Sequence, residues 1–290
     1  MAVAAVVLAL AAGGLAFGLY KFLAKKPAPF QSIRIEKLTD IGNATTAQIS
    51  PDGQYVAHAV YEGGKHNLRV WHVSTKSSVE IVPPAEGFLA VRAFSPDSRY
   101  IYYTKSAVPG PGQGTLYQIA VLGGAPKKIL ERAGLSISFL PDGRRFAFMR
   151  EGPGQGKNSL MIANTDGTGE RALATRGGAE RFGFDGPAWS PDGRYIVFES
   201  TRSGRRNIWR MDLDGGGLKQ LTDGGRDTSP RFSPDGSWVI YASLATTELR
   251  KVPADGGESV RLADRHVLGA VVSPVDGSIA GLFRVDENSP

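Results

Sequence analysis

The stretch Trp189-Ser190-Pro191-Asp192-Gly193-Arg194-Tyr195-Ile196-Val197-Phe198 decides the fold. Proline pre-sets its own φ for a turn, the aspartate can bond the backbone just ahead, and glycine accepts positive φ. Apolar runs flank the turn, Ala188-Trp189 before it and Tyr195 to Phe198 after it. Their aromatic and β-branched residues favour strands over helices. The segment therefore reads as two antiparallel strands joined by a tight turn.

The same punctuation occurs six times, with prolines at Pro51, Pro96, Pro141, Pro191, Pro234 and Pro274, spaced 45, 45, 50, 43 and 40 residues apart. The variants are mild: Ser98 replaces glycine, Leu140 replaces serine, and Val275 is inserted. A second hairpin follows each turn. Its first strand is seen at Leu68 to Trp71, Leu116 to Ile119, Leu160 to Ile162, Ile208 to Met211 and Leu249 to Val252. Tight turns come next, Ser74-Thr75 in the first repeat and glycine-bearing thereafter, as at Gly123-Gly124 and Asp214-Gly215-Gly216. A short fourth strand closes each unit, for example Val79 to Val82 and Lys128 to Leu130. Four antiparallel strands in a repeat of this length make a propeller blade, whereas a two-sheet sandwich would leave the repeat unexplained.

The expected fold is all-β, a six-bladed-type β-propeller of four-stranded antiparallel blades over residues 33–290, with the last blade incomplete. Ile35 to Thr39 matches the fourth-strand pattern ahead of the first turn, an orphan suited to clasping the last blade. The sixth blade has strands near Val267 to Val272 and Ile279 to Arg284, and Val285 to Pro290 is too short and polar for a third. An open ring exposes strand edges. The chain is accordingly expected to be cut at its carboxyl end, and at its amino end where no basic flank precedes the apolar span.

That span, Ala2 to Tyr20, is 19 apolar or small residues long, and Phe22 to Ala24 extend it. It suits a transmembrane helix over residues 1–24, followed by a stiff linker over 25–32. A cleaved signal peptide with Ala16 and Gly18 at its small-residue site is the alternative, although the basic n-region is missing. Lys21, Lys25 and Lys26 all follow the span, which by the positive-inside rule points the propeller inward.

Several chemistries are excluded. With no cysteine there are no disulfides, thiolate nucleophiles or zinc ribbons. The net charge of +6 is spread singly through the turns, and Trp71, Trp189, Trp209 and Trp238 fall within strands as core residues, so no nucleic-acid groove is read. There is no Gly-x-Ser-x-Gly elbow, no His-Arg-Asp loop and no Asp-Phe-Gly. Gly152 to Asn158 imitates a phosphate loop but fails its spacing, because Glu151 stands where the first glycine belongs. His58, His66, His72 and His266 show no ligand spacing, and Asp212-Leu213-Asp214-Gly215 lacks the later ligands of a calcium loop. Neither a metal nor a cofactor is expected.

Meander order places the first and third turns of every blade on one face of the disc and the loops after strands two and four on the other. The second set varies: Lys105 to Gly114, Glu151 to Lys157, Thr175 to Phe184, Ser200 to Arg205 and Asp223 to Asp227. Loop variation on a rigid scaffold is where binding usually resides. Arg176, Arg181, Arg202, Arg205 and Arg226 gather there around blades three to five. They are read as an anion-preferring patch for an acidic peptide, glycan or lipid head group, against the plainer reading of a solvated loop rim.

The unit from Trp189 to Phe198, followed by Asn207-Ile208-Trp209-Arg210-Met211-Asp212 and Leu221-Thr222, resembles the TolB-type, WD-repeat-like propeller repeat over residues 33 to 284. The span leading into Ile35 to Thr39, with Ile81-Val82-Pro83-Pro84 and Leu160 to Asn164, is similar to the propeller half of acidobacterial-type membrane serine/threonine kinases. That resemblance implies a membrane-anchored propeller outside the cytoplasm, in the periplasm, with a cytoplasmic kinase ahead of the helix. The expected function is a non-catalytic module at the cell envelope that binds a protein or senses a ligand. The alternative is the sensor portion of a kinase whose catalytic domain is absent from this chain.

Overall fold

The computed structural model describes residues 43–108, 114–134, 136–152, 156–183, 186–263, 267–272 and 279–283. Every element in them is a strand. The first blade holds β1 (Ala44–Ile49), β2 (Tyr55–Glu62), β3 (Lys65–His72) and β4 (Ser77–Ala85). The second holds β5 (Phe88–Phe94), β6 (Tyr100–Ser106), β7 (Gly114–Ala120) and β8 (Lys127–Ala133). The third holds β9 (Ile137–Phe139), β10 (Arg145–Glu151), β11 (Lys157–Asn164) and β12 (Arg171–Gly177). The fourth holds β13 (Ala188–Trp189), β14 (Tyr195–Ser200), β15 (Asn207–Asp212) and β16 (Lys219–Gln220). The fifth holds β17 (Asp227–Phe232), β18 (Trp238–Ser243), β19 (Glu248–Pro253) and β20 (Val260–Ala263). All five are antiparallel meanders in chain order. A two-stranded sheet, β21 (Val267–Val272) and β22 (Ile279–Phe283), follows.

The turn chemistry read from the sequence is present in detail. In the fourth blade the Ser190 hydroxyl donates to Asp192 Oδ1 at 2.6 Å, and that carboxylate accepts the Arg194 amide at 3.0 Å. Ser190 Oγ also accepts the Tyr195 amide at 2.9 Å, so one serine locks both ends of the turn. The first, second and fifth turns repeat this pattern through Ser50, Ser95 and Ser233. The residue after the aspartate is left-handed each time: φ is 71° at Gly53, 64° at Gly143, 71° at Gly193 and 72° at Gly236. Glycine is preferred there because a β-carbon is disfavoured in that region, and Ser98 adopts it at 60°. Each turn also leans on the one before it. A β-carbon on Gly193 would stand 3.5 Å from the Pro141 ring, and one on Gly236 would stand 3.4 Å from Pro191. The Asp52 amide donates to Ser98 Oγ at 3.2 Å. The five described turns thus form one arc.

The core lies in the seams between blades. Successive side chains on a strand point to opposite faces, and here both faces are buried. In β14, Ile196 and Phe198 pack on Leu140, Ala147, Met149, Leu160 and Ile162 of the third blade, while Val197 packs on Val239, Tyr241 and Val252 of the fifth. The second blade divides in the same way. Ile101 and Tyr103 join the first blade, and Tyr102 joins Phe146 and Phe148 of the third. This two-sided burial explains why the middle strands read as continuous apolar runs. At 1.5–3 kcal/mol or so per fully buried large apolar side chain, the seams are the main source of stability.

Two expectations need correction. The sequence reading gave a six-bladed propeller, whereas the described residues form five four-stranded blades. Counting turns overcounts blades, because a blade needs four strands and, among the described residues, only β21 and β22 follow the fifth. That pair closes the circle: the innermost strands touch in succession from β1 to β21, and β1 meets β21 and β22. The fold was also expected to include an amino-terminal transmembrane helix. Among the described residues there is no helix, and none long and apolar enough to cross a membrane. The 1–24 span, the 25–32 linker, the orphan strand at Ile35 to Thr39 and the sixth turn at Pro274 lie outside the described residues.

Candidate functional site

The face opposite the turn arc carries the connections β10–β11, β12–β13, β14–β15, β16–β17 and β18–β19. Its scaffold is a buried carboxylate that the sequence reading passed over. Glu199, the penultimate residue of β14, is 2% exposed. Ala59, Thr104, Met149 and Ala242 stand at the same offset from the turn proline in the other blades, so this acid is peculiar to the fourth. β17 bulges between Thr228 and Arg231, where Ser229 adopts a φ of 55° and its amide is freed from the ladder. Glu199 Oε1 accepts that amide at 2.8 Å and the Thr228 hydroxyl at 2.6 Å. The Gly183 amide donates to the Glu199 carbonyl at 2.8 Å, and a β-carbon at Gly183 would overlap the carboxylate. Glu199 therefore pins the β12–β13 connection and the bulge of β17 to β14. The only signal available in the sequence was one acid directly after the apolar run Tyr195 to Phe198.

A second buried acid lies beside it. Asp227 opens β17 at 1% exposure, and neither of its oxygens makes a well-formed hydrogen bond. Burial pushes its carboxyl above the usual range. The nearby Thr222 and Ser243 hydroxyls, the Gly224 amide and Arg250 offset part of that effect.

The structure divides the five arginines of the sequence reading into groups. Arg181, on the β12–β13 connection, is neutralised by Glu151, whose oxygens lie 2.9 and 3.2 Å from Nη2. Arg202, on the β14–β15 loop, lays its guanidinium on the Trp209 ring, 5.0 Å from the centroid. Arg176, the next-to-last residue of β12, is close enough to repel it. Burial and then Arg176 lower the Arg202 pKa, with Glu180 opposing. Arg205 and Arg226 belong to the neighbouring seam. The Arg205 side chain lies against Gly225, and Arg226 bridges to Arg206 through the backbone. Arg206, absent from the sequence reading, stands 3.9 Å from Glu199 Oε2. The loops are tied together. Thr201 Oγ1 donates to the Ala179 carbonyl at 2.7 Å and Ser200 Oγ to the Arg181 carbonyl at 3.1 Å.

The remaining candidates resolve simply. Gly152 to Asn158 lies at the β10–β11 connection, with residues 153–155 outside the described set. Asp212 to Gly215 forms the β15–β16 turn, in which Asp214 Oδ1 accepts the Gly216 amide at 2.8 Å. No group of three or more metal-ligating side chains occurs among the described residues. His58 is 3% exposed in β2, and burial lowers its pKa, with a further lowering by Arg69 against a raising contact from the Val56 backbone. Trp189 is 6% exposed, whereas Trp71, Trp209 and Trp238 are half-buried. On the turn face a groove of about 560 Å³ runs past Asp192, Asp235 and Asp255, each already engaged by Ser190, Ser233 or Arg210.

Residues 40–276 match the family model described as the TolB β-propeller domain. Over 222 residues the chain is 29% identical to an uncharacterised protein of Agrobacterium fabrum, covering 74% of this chain and 70% of that protein. Over 217 residues it is 27% identical to the Tol-Pal system protein TolB of Francisella tularensis, covering 73% of this chain and 48% of that protein. The chain thus spans about half the length of that relative. The crystal structure of TolB from Acinetobacter baumannii superposes with a TM-score of 0.62 at 23% identity, covering 75% of this chain and 53% of that one. At that identity the likeness is one of fold. None of these proteins bears the name of a kinase, and the matching family is described by TolB rather than by WD repeats.

Proposed function

The chain belongs to the TolB β-propeller domain family, and on that premise we propose that it is a non-catalytic interaction module, docking a protein partner on its loop face at the extracytoplasmic side of the cell envelope. One contrast between the two faces supports this reading. The turn face is built from short elbows whose serines and aspartates satisfy one another. The loop face carries the connections that vary most, from two residues between β2 and β3 to ten between β12 and β13. It also carries arginines such as Arg176 and Arg202 that form no ion pair among the described residues. A rigid scaffold presenting such loops is suited to recognition. The name of the Francisella relative, a Tol-Pal system protein, is consistent with a protein assembly as the setting. Tethering through residues 1–24, with 25–32 as spacer, belongs to the same proposal.

The test is photo-crosslinking in the producing cell, with a photoreactive residue at exposed Ser203 on the loop face or at exposed Arg144 or Ser237 on the turn face. A discrete adduct is expected from Ser203 alone. Adducts only from the turn face, or from neither, overturn the reading.

A further inference from the structure

We propose that Arg176 and Arg202 form a carboxylate-binding site at the seam between the third and fourth blades, which takes an acidic segment of the partner protein. The proposal rests on the loop face being the docking face and names the chemistry of its ligand.

Four observations carry it. First, the Arg202 guanidinium carbon lies over the Trp209 ring, 5.0 Å from its centroid, a contact that restrains the group while N–H donors remain for the paired bonds that carboxylates accept. Second, Arg202 Nε and Trp209 Nε1 are enclosed donors without acceptors among the described residues, and an enclosed donor left unpaired is destabilising. Third, other arginines of this region have acids: Arg181 has Glu151, Arg206 has Glu199, and Arg150 has Glu170. Among the described residues the hydrogen bond of the Arg176 guanidinium runs from Nη1 to its neighbour's carbonyl, that of Thr175, at 2.9 Å, and Arg202 sits against that cation, with the more weakly acting Glu180 opposing. Fourth, the two arginine-bearing segments are tied to each other through Thr201 and Ser200. The pair is therefore held together at its own electrostatic expense before any ligand arrives, which lowers the ordering cost of binding.

The surroundings select among anions. Glu151 and Glu180 stand on the same rim. A broad anionic surface, such as a membrane, would meet those carboxylates as well as the arginines. A short acidic segment of a protein needs only the pair.

The experiment titrates a hexaglutamate peptide into the full chain and follows binding by calorimetry and tryptophan fluorescence. Inorganic phosphate and phosphatidylglycerol vesicles serve as separate arms. The wild type is expected to bind the peptide saturably. R176S/R202S should weaken binding about tenfold or more, as loss of matched charge pairs does. R202K, which keeps the charge but loses the planar fork, should weaken it by an intermediate factor. R99S/R144S, which removes the same charge from exposed positions on the turn face, should leave it unchanged. Circular-dichroism melting shows that each variant is folded, and R202K answers the question if the double variant is not. The site is overturned by absent saturable binding, by equal loss in both double variants, or by preference for phosphate or vesicles. Unchanged Ser203 crosslinking in R176S/R202S overturns the site and leaves the interaction reading standing, whereas no loop-face adduct in the wild type overturns the interaction reading itself.

Discussion

Replacing Glu199 with alanine removes, in one step, the acceptor for the Thr228 hydroxyl and the Ser229 amide. Hydrogen bonds to a charged group contribute about 1.5–3 kcal/mol each, and donors left buried without a partner add their desolvation cost. The expected loss is about 3–6 kcal/mol, a large share of the 5–15 kcal/mol or so available to a domain. For a propeller of this size it corresponds to a fall in Tm of roughly 10 °C or more. Glu199→Gln keeps an oxygen for one donor and should lose about half as much. Thr228→Val alone should cost about 1.5–3 kcal/mol, and the Glu199→Ala/Thr228→Val pair should cost clearly less than the sum, because both singles break one contact. Urea denaturation followed by circular dichroism measures all four proteins, with the slope checked for constancy. A Glu199→Ala loss below about 1 kcal/mol, or strict additivity in the cycle, refutes the linchpin role.

Three further outcomes follow from the same structure. Asp227 has its pKa raised by burial, so its ionised form opposes folding. Asp227→Asn should therefore stabilise the protein at neutral pH, a gain that vanishes as pH falls through the raised folded pKa to the ordinary aspartate value of about 4; a gain that persists in acid contradicts this. The Ser190 hydroxyl and the Arg194 amide hold Asp192 below the usual carboxylate range, and at Asp97 burial acts the other way but is outweighed by the Ser95 hydroxyl together with the amide and the charge of Arg99. Their stabilisation is complete above about pH 4 and is lost as pH falls through the lower folded values, so Asp97→Asn/Asp192→Asn should flatten the acid limb of a stability–pH curve. Gly193→Ala places a β-carbon at a φ of 71° and should cost about 1–2 kcal/mol by thermal melting, while the fold is retained.

What could be read in advance was what is local. The Ser-Pro-Asp-Gly elbows are made by bonds between residues two to five apart, as from Ser190 to Asp192 and Tyr195, so their chemistry shows in any short window. Strand parity then separated the two faces. Blade number was less legible, because a turn announces two strands and not the four that fill a sector. The loop face was legible from the meander order, but the pairings on it were not. Arg181 meets Glu151 across 30 positions, and Glu199 meets Thr228 across 29. Such partners belong to different blades, and no periodicity links them. The grouping of Arg176 with Arg202, and of Arg205 with Arg226, likewise depends on which seam each loop overhangs.

The alternation in β14 constrains how such a chain can change over generations. Ile196 and Phe198 serve one neighbour and Val197 the other, so inserting or deleting one residue within the strand would exchange the two sets and spoil both interfaces together. Length variation is thereby channelled to the connections beyond the strand ends. The loops opposite the turn arc are the part of the molecule where selection can experiment without disturbing the ring.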